Sequence, residues 1–300
     1  MRNGIINVYK EKGFTSFDVV AKLRGILKQK RIGHTGTLDP DATGVLLVCL
    51  GNATKVCDLL TDKDKEYEAV LLLGKTTDTQ DISGQVLREA KVTASEDEVC
   101  RTIQSFVGEY DQIPPMYSAL KVNGRKLCDL AREGITVERK ARRVTIYSIE
   151  ILSVCLPEVK MRVHCSKGTY IRTLCQDIGE ALGCGGCMRE LVRTRVSSFS
   201  IEDAHTLAEI EKAVRLEQLD YVVPVDAVFE QYPKGVASEA FQKLLENGHP
   251  IPGRAIHFPD SVDFAPTIRM YDYHQRFVGL FSYVSETKAY KPIKMFLAKE

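Results

Sequence analysis

The segment Arg31–Gly44, RIGHTGTLDPDATG, concentrates residues that can do chemistry. Gly33, Gly36 and Gly44 permit unusual backbone angles and close approach of a ligand to the main chain. Pro40 drives Asp39 out of the helical region into an extended or turn conformation, so its carboxylate projects from a loop instead of capping a helix. Such a group can serve as base, nucleophile or metal ligand. A metal wants convergent carboxylates, and only Asp41 is near. An ordinary Asp-Pro turn has the same spacing, so spacing alone leaves both readings open. Neither a Walker pattern nor a dinucleotide fingerprint is present, which excludes a nucleotide cradle of those kinds.

The elements around this segment alternate between strand and helix patterns. Ile5–Tyr9 predicts a strand, and Thr15-Ser16 caps a helix whose Phe17, Val20, Leu23 and Leu27 fall at helical spacing. Gly44–Leu50 reads as a buried strand and Ala53–Leu60 as a helix. In the strand Tyr67–Leu73, residues 67, 69, 71 and 73 share one face. Ser95-x-x-Glu98 predicts a capping box, followed by an apolar stripe of Val99, Ile103, Phe106 and Val107. Val159 to Cys165 alternates as a half-buried strand, Tyr170–Leu182 predicts a helix, and Thr206-x-x-Glu209 opens another. Beyond Pro224, Pro233 and Gly235 the texture changes, which places a boundary near 233 between domains 1–232 and 233–300. The second domain predicts one helix, Ser238–Glu246, then strands at Thr267–Tyr271, Arg276–Val284 and Ile293–Leu297, a small β-rich barrel.

The chain has 300 residues, 44% hydrophobic and 27% charged, enough for about two domains with a large core. The longest apolar run, Val45–Leu50, is far short of a membrane span, and MRNGIINVYKEKG has no signal-peptide pattern. A cytoplasmic location is expected. Nine scattered cysteines suit reduced thiols, and Cys184-Gly-Gly-Cys187 lacks the second pair that a structural zinc requires. Lys+Arg 41 against Asp+Glu 40 excludes an overall basic nucleic-acid binder. Yet Lys22, Arg24, Lys28, Lys30 and Arg31 occur without an acid among residues 22–31. Residues 121–143 carry eight bases against three acids, 160–195 seven against three, and 202–230 two against eight. Local clusters on a neutral chain predict a bounded polyanion footprint or an ordinary solvated surface.

Gly33-His-Thr-Gly-Thr-Leu-Asp-Pro-Asp-Ala-Thr-Gly-Val-Leu46 resembles the catalytic motif of the TruB-type pseudouridine synthases, which isomerise uridine 55 in the T loop of transfer RNA. Further segments agree in order: Lys65-Glu66-Tyr67, then Pro114-Pro115-x-Tyr117-Ser118-Ala119-x-Lys121-x-x-Gly124-Arg125 with Ala131-Arg132, then Lys167–Leu174, and Leu191-x-Arg193-Thr194-Arg195. The resemblance covers roughly residues 4–200. It implies an α+β pseudouridine synthase fold, a mixed and largely antiparallel sheet flanked by helices. The tail more loosely resembles a PUA-like RNA-binding domain.

That resemblance also implies roles. Asp39 corresponds to the carboxylate that attacks the nucleoside, at C6 of uracil or at C1′ of the ribose. Arg172 corresponds to the basic partner that orients this carboxylate and keeps it ionised. Tyr67 corresponds to the ring that stacks on the flipped base and helps to move the C5 proton, while Tyr170 and Leu191 wall the uracil pocket and His34 contacts nucleotides disturbed by flipping. The implied reaction needs no cofactor and no metal, and its partner is the tRNA T arm, bound by a monomer without an obligate protein partner. Cys128 departs from the pattern, since tyrosine is expected there in many relatives. Two other readings remain: a guide-RNA-dependent synthase, disfavoured by the absence of long basic tails, and an RNA-binding protein acting mainly as a tRNA folding chaperone.

Overall fold

A computed structural model describes residues 2–218, 220–259 and 264–297. The unbroken apolar run at Thr43–Leu50 makes a strand buried on both faces. On one face Leu46, Val48 and Leu50 meet Val19, Val20, Leu23 and Leu27 of the helix Ser16–Leu27. On the other, Val45, Leu47 and Cys49 meet Ala53, Val56 and Leu60. Thr15 starts the Ser16–Leu27 helix with a reciprocal capping box, its hydroxyl accepting from the Asp18 N–H and the Asp18 carboxylate from the Thr15 N–H.

Thr43–Leu50 lies in a ten-stranded sheet whose main path runs Val222–Val223, Gly4–Lys10, Thr43–Leu50, Gly186–Val196, Lys65–Leu73, Glu158–Cys165, Arg142–Cys155, Gly108–Gln112. Along this path only Thr43–Leu50 and Gly186–Val196 pair in parallel, so the sheet is mixed and largely antiparallel, as expected. Lys65–Leu73 alternates strictly, with Tyr67, Ala69, Leu71 and Leu73 inward. Val99 and Ile103 of the helix Glu96–Gln104, and Ile171, Leu174 and Ile178 of the helix Ile171–Ala181, complete the core on that face.

The C-terminal strands form a second sheet of six, ending in Ile251–Pro252 at one edge and Ile256–His257 at the other. A single 3₁₀ turn, Gly253–Ala255, joins these two edges, so the sheet curls into a near-closed barrel. Phe277, Leu280 and Phe296 from this barrel pack with Ile5, Val45, Ala53 and Phe229, which seats it on the larger sheet. The Asn52 amide donates to the Phe296 carbonyl at 3.0 Å, and Lys55 to the Met295 carbonyl at 2.8 Å.

Several local expectations are corrected. The helix expected at Ala53–Leu60 is a 3₁₀ segment, Gly51–Val56, followed by one α-turn, Cys57–Thr61. The tail helix is likewise divided into Glu239–Phe241 and Gln242–Glu246, and the last strand runs from Ala289 to Met295. Two long strands, Arg142–Cys155 and Gly186–Val196, went unmarked by periodicity. Each carries two register shifts against a neighbour, and every bulge swaps the face on which apolar residues appear.

Gly44 has φ 101°, and a Cβ there would lie 2.2 Å from the Arg193 carbonyl oxygen across the parallel pairing. Gly44→Ala is expected to cost roughly 3 kcal/mol or more through backbone strain and forced separation of the strands. Urea denaturation measures it, and an unchanged midpoint would show that the close approach is dispensable.

Candidate active site

Asp39 sits in the loop between the strand Ile32–Thr35 and Thr43–Leu50, and this loop is fastened from several sides. The Ser16 hydroxyl accepts from the Leu38 N–H at 2.9 Å, and the Gly13 N–H donates to the Pro40 carbonyl at 2.9 Å. Lys10, fully buried, donates to the carbonyls of Pro40 and Ala42 at 2.9 and 2.6 Å. Burial draws the Lys10 ammonium down to about 8, against the pull of Asp39 and Asp41. Leu38 and Ala42, on either side of Asp39, enter the same buried cluster as Tyr67, Ile171 and Leu191. The carboxylate thus stands beside an apolar floor.

Arg172 holds that carboxylate side-on. Its Nε lies 3.0 Å from Asp39 Oδ2, and Nη2 donates to Oδ1 at 3.1 Å, the two-pronged geometry that a guanidinium allows. Nη2 also donates to the Tyr117 carbonyl at 2.8 Å and Nη1 to the Thr79 carbonyl at 3.1 Å, while Asp81 Oδ2 lies 3.9 Å from Nη1. One arginine side chain, 6% exposed, therefore ties together three segments distant in sequence. Asp39 itself keeps 36% of its side chain exposed, so the group is restrained yet reachable.

Arg172 is one of several influences on the ionisation of Asp39. Burial is the larger effect and raises the Asp39 carboxyl above its ordinary range; Arg172 and Lys10 oppose the rise, and the negative charge of Asp81 adds to it. The result is a more basic carboxylate than a solvated aspartate.

The other expected residues converge unequally. Tyr67 and Leu191 are nearly buried in the apolar cluster beside the loop. Tyr170 caps the helix carrying Arg172; its N–H donates to Gln112 Oε1 at 2.8 Å and its carbonyl accepts from Gln112 Nε2 at 3.1 Å. His34 is half-buried on the strand leading into the loop, and its Nδ1 is buried with no hydrogen-bond partner among the described residues. Burial, then the charge of Arg193, hold His34 below the usual histidine range, which leaves the ring neutral at pH 7.

Lys10, Thr79, Asp81 and Gln112 were not singled out in the sequence. They act through carbonyl contacts, charge at a distance or second-layer bonds, and none of these leaves a pattern of residue spacing.

The three basic stretches are not equivalent. Within 160–195 the bases are paired or buried: Lys160 and Arg162 with Glu68, Lys167 with Asp62, Arg189 with Glu158, Arg195 with Asp64, and Arg172 and Arg193 inside. Much of its excess charge is thus met by acids brought from other segments of the chain. In 22–31, Lys22 lies over the Phe14 ring and Arg24 over Phe17, while Arg31 donates to Thr54 and Asn52. Those charges keep no acidic partner among the described residues.

Comparison with known proteins adds lineage to this geometry. The family described as TruB family pseudouridylate synthase (N terminal domain) matches residues 24–171, and tRNA pseudouridylate synthase B C-terminal domain matches residues 172–230. A protein of Lachnoclostridium phytofermentans called tRNA pseudouridine synthase B is 57% identical over 98% of this chain and 100% of its own length. One of the same name from Clostridium acetobutylicum is 46% identical over 93% of this chain and 94% of its own. Among solved structures, a chain of an H/ACA RNP bound to a substrate RNA containing 2′-deoxyuridine superposes with TM-score 0.71 at 26% identity, covering 98% of this chain and 85% of that one. A chain of a Cbf5-Nop10-Gar1 complex gives 0.71 at 28% identity, with the same coverage. By its sequence along nearly its whole length and by its fold, the chain belongs to the TruB family of pseudouridylate synthases.

Proposed function

We propose that this chain is a tRNA pseudouridine synthase that isomerises uridine 55 in the T loop, with Asp39 as the attacking group. The observation that carries the proposal is the two-pronged grip of Arg172 on an accessible Asp39 beside the apolar surface of Tyr67 and Leu191. The carboxylate attacks C6 of the uracil or C1′ of the ribose, the N1–C1′ bond breaks, the base turns, and C5 joins C1′ with loss of the C5 proton. No atom is gained or lost by the nucleoside. A base inside a folded T loop must first be flipped out, at a cost of a few kcal/mol for unstacking. Tyr67 and Leu191 offer apolar faces to the extruded base, and Tyr170 stands at the start of the helix that carries Arg172. The neutral His34 ring suits hydrogen bonding to a disturbed nucleotide without a full charge.

The names of the relatives support tRNA as substrate. The exposed bases at 22–31, together with Lys121, Lys126, Lys140 and Arg142, which form no ion pair among the described residues, and the C-terminal barrel supply the RNA surface in this reading. The chain acts as a cytoplasmic monomer without an obligate protein partner. One solved neighbour belongs to an H/ACA RNP bound to a substrate RNA and another to a Cbf5-Nop10-Gar1 complex, which keeps a guide-dependent synthase as the second reading.

Tritium release from 5-³H-uridine in an unmodified T-arm hairpin separates the readings. Release by the chain alone, abolished in Asp39→Asn, is expected. No release from bare hairpin favours a guide-dependent enzyme, and undiminished release by Asp39→Asn removes Asp39 from the chemistry.

The pH profile follows from the charges. Attack requires ionised Asp39, so a raised pKa places the acid limb of kcat/KM above the ordinary carboxylate value of about 4. Asp81→Asn, which removes a neighbouring negative charge, should move this limb to lower pH; movement to higher pH contradicts the assignment. Loss of the Lys10 proton near pH 8 weakens the anchoring of Pro40 and Ala42 and gives an alkaline decline in the same profile.

Binding is expected to weaken steeply between about 50 and 200 mM salt. Neutralising Lys28 and Lys30 should flatten the slope of log K against log salt by about one per lost phosphate contact, whereas neutralising the paired Arg162 and Arg189 should leave it unchanged.

A further inference from the structure

Arg193 is 1% exposed, among the largest fully buried side chains in the protein. Among the described residues no carboxylate lies within the 4.0 Å that defines an ion pair with it. A buried cation without a counter-ion is costly and needs an explanation beyond packing. Its surroundings deepen the question. Burial brings both Lys10 and Lys65 down to about 8, with Arg193 lowering each further, and His34 also feels the guanidinium. This corner therefore collects buried positive charge, opposed at Lys10 by the charges of Asp39, Asp41 and Asp18.

The backbone explains how Arg193 comes to lie there. It stands directly across from Tyr67 in the antiparallel pairing and from Gly44 in the parallel one. Its Nε donates to the Val45 carbonyl at 2.7 Å and its Nη2 to the Gly36 carbonyl at 3.2 Å. These two bonds fix the plane of the guanidinium between the ends of the Asp39 loop. The guanidinium belongs to the cross-strand neighbour of Tyr67, close enough for its charge to act on the phenol. Burial pushes the Tyr67 phenol up; Arg193 is the group that chiefly opposes this.

We infer that Arg193 is a positioning residue for the loss of the C5 proton: it supplies the counter-charge with which the Tyr67 oxygen accepts the proton. The inference rests on the pseudouridine synthase reading above. Burial disfavours the Tyr67 phenolate, so only the small fraction that has lost its proton to solvent enters the step. The C5–H bond of the rejoined base breaks and the proton passes to the Tyr67 oxygen. The electron pair closes the C5=C6 double bond, which either displaces Asp39 from C6 or, after attack at C1′, shifts the C6=N1 pair onto N1, where solvent supplies a proton. Positive charge fixed beside the acceptor favours the phenolate before transfer, and its fixed geometry requires no reorganisation. Lysine cannot span Val45, Gly36 and Tyr67 together, because it lacks the planar fork.

The test compares hairpins carrying 5-¹H- and 5-²H-uridine as substrates for the native chain, Arg193→Lys, Tyr67→Phe and the double variant, after circular dichroism confirms folding. Pseudouridine formation by the native chain establishes the underlying reading; its absence removes that reading and is distinct from failure of the inference. Given native activity, Arg193→Lys should lower kcat about 100-fold, change KM little, and expose a primary deuterium isotope effect larger than that of the native chain. Tyr67→Phe should expose the same effect, and the double variant should be no slower than Tyr67→Phe alone. A slow Arg193→Lys with no increased isotope effect, additive losses, or a Tyr67→Phe without the effect overturns the inference. Arg193→Gln, neutral but still a donor, serves if the lysine variant does not fold; unfolding of both makes Arg193 structural and also overturns it.

Discussion

The contact between Arg172 and Asp39 is the constraint around which the rest of the site is arranged. It joins the second residue of one helix to a loop 133 positions earlier, and the same guanidinium reaches the carbonyls of Thr79 and Tyr117. Each contact alone is modest, about 1.5–3 kcal/mol for a hydrogen bond to a charged group. Together they determine which way the carboxylate faces. The helix must begin at Ile171, the Thr79 turn must dock on Thr173 through Gln80, and the Asp39 loop must be fixed by Ser16 and Lys10. The large sheet holds all of these starting points in register.

Burial and charge work against each other in this arrangement, and their imbalance is useful. Water is sufficiently excluded for Asp39 to become more basic despite its cationic partner. Lys10, Lys65 and Arg193 meanwhile carry positive charge into the interior, the lysines at reduced basicity. Such a site favours anions that form transiently, whether a carboxylate displaced from an adduct or a base released from its sugar. The resident ions are held by carbonyl dipoles, which do not cancel them: Lys65 donates to Thr61 and Lys63, and Lys10 to Pro40 and Ala42.

Proline and glycine neighbours mark Asp39 as a loop carboxylate, its role coming only from the resemblance, and the alternation at Tyr67–Leu73 shows as an unbroken period of two. Thr15 and Thr206 declared their helices because a cap is a local bond. Arg172, Tyr170, Leu191 and His34 were legible only through resemblance to a family, since their roles depend on tertiary approach. The strands Arg142–Cys155 and Gly186–Val196 were hidden by their bulges. Charge counts within 160–195 omit partners such as Glu68 and Asp64, which lie in other segments of the chain. A run of bases reveals its composition, and only the fold reveals which bases remain available.

The account is tested most directly by locating the product at single-nucleotide resolution in an unmodified tRNA transcript incubated with the chain alone. Chemical derivatisation of pseudouridine followed by primer extension gives that position. The account predicts one new stop, assigned to uridine 55 of the T loop, and none with Asp39→Asn. Pseudouridine at another position with uridine 55 untouched, or an undiminished signal from Asp39→Asn, would contradict it.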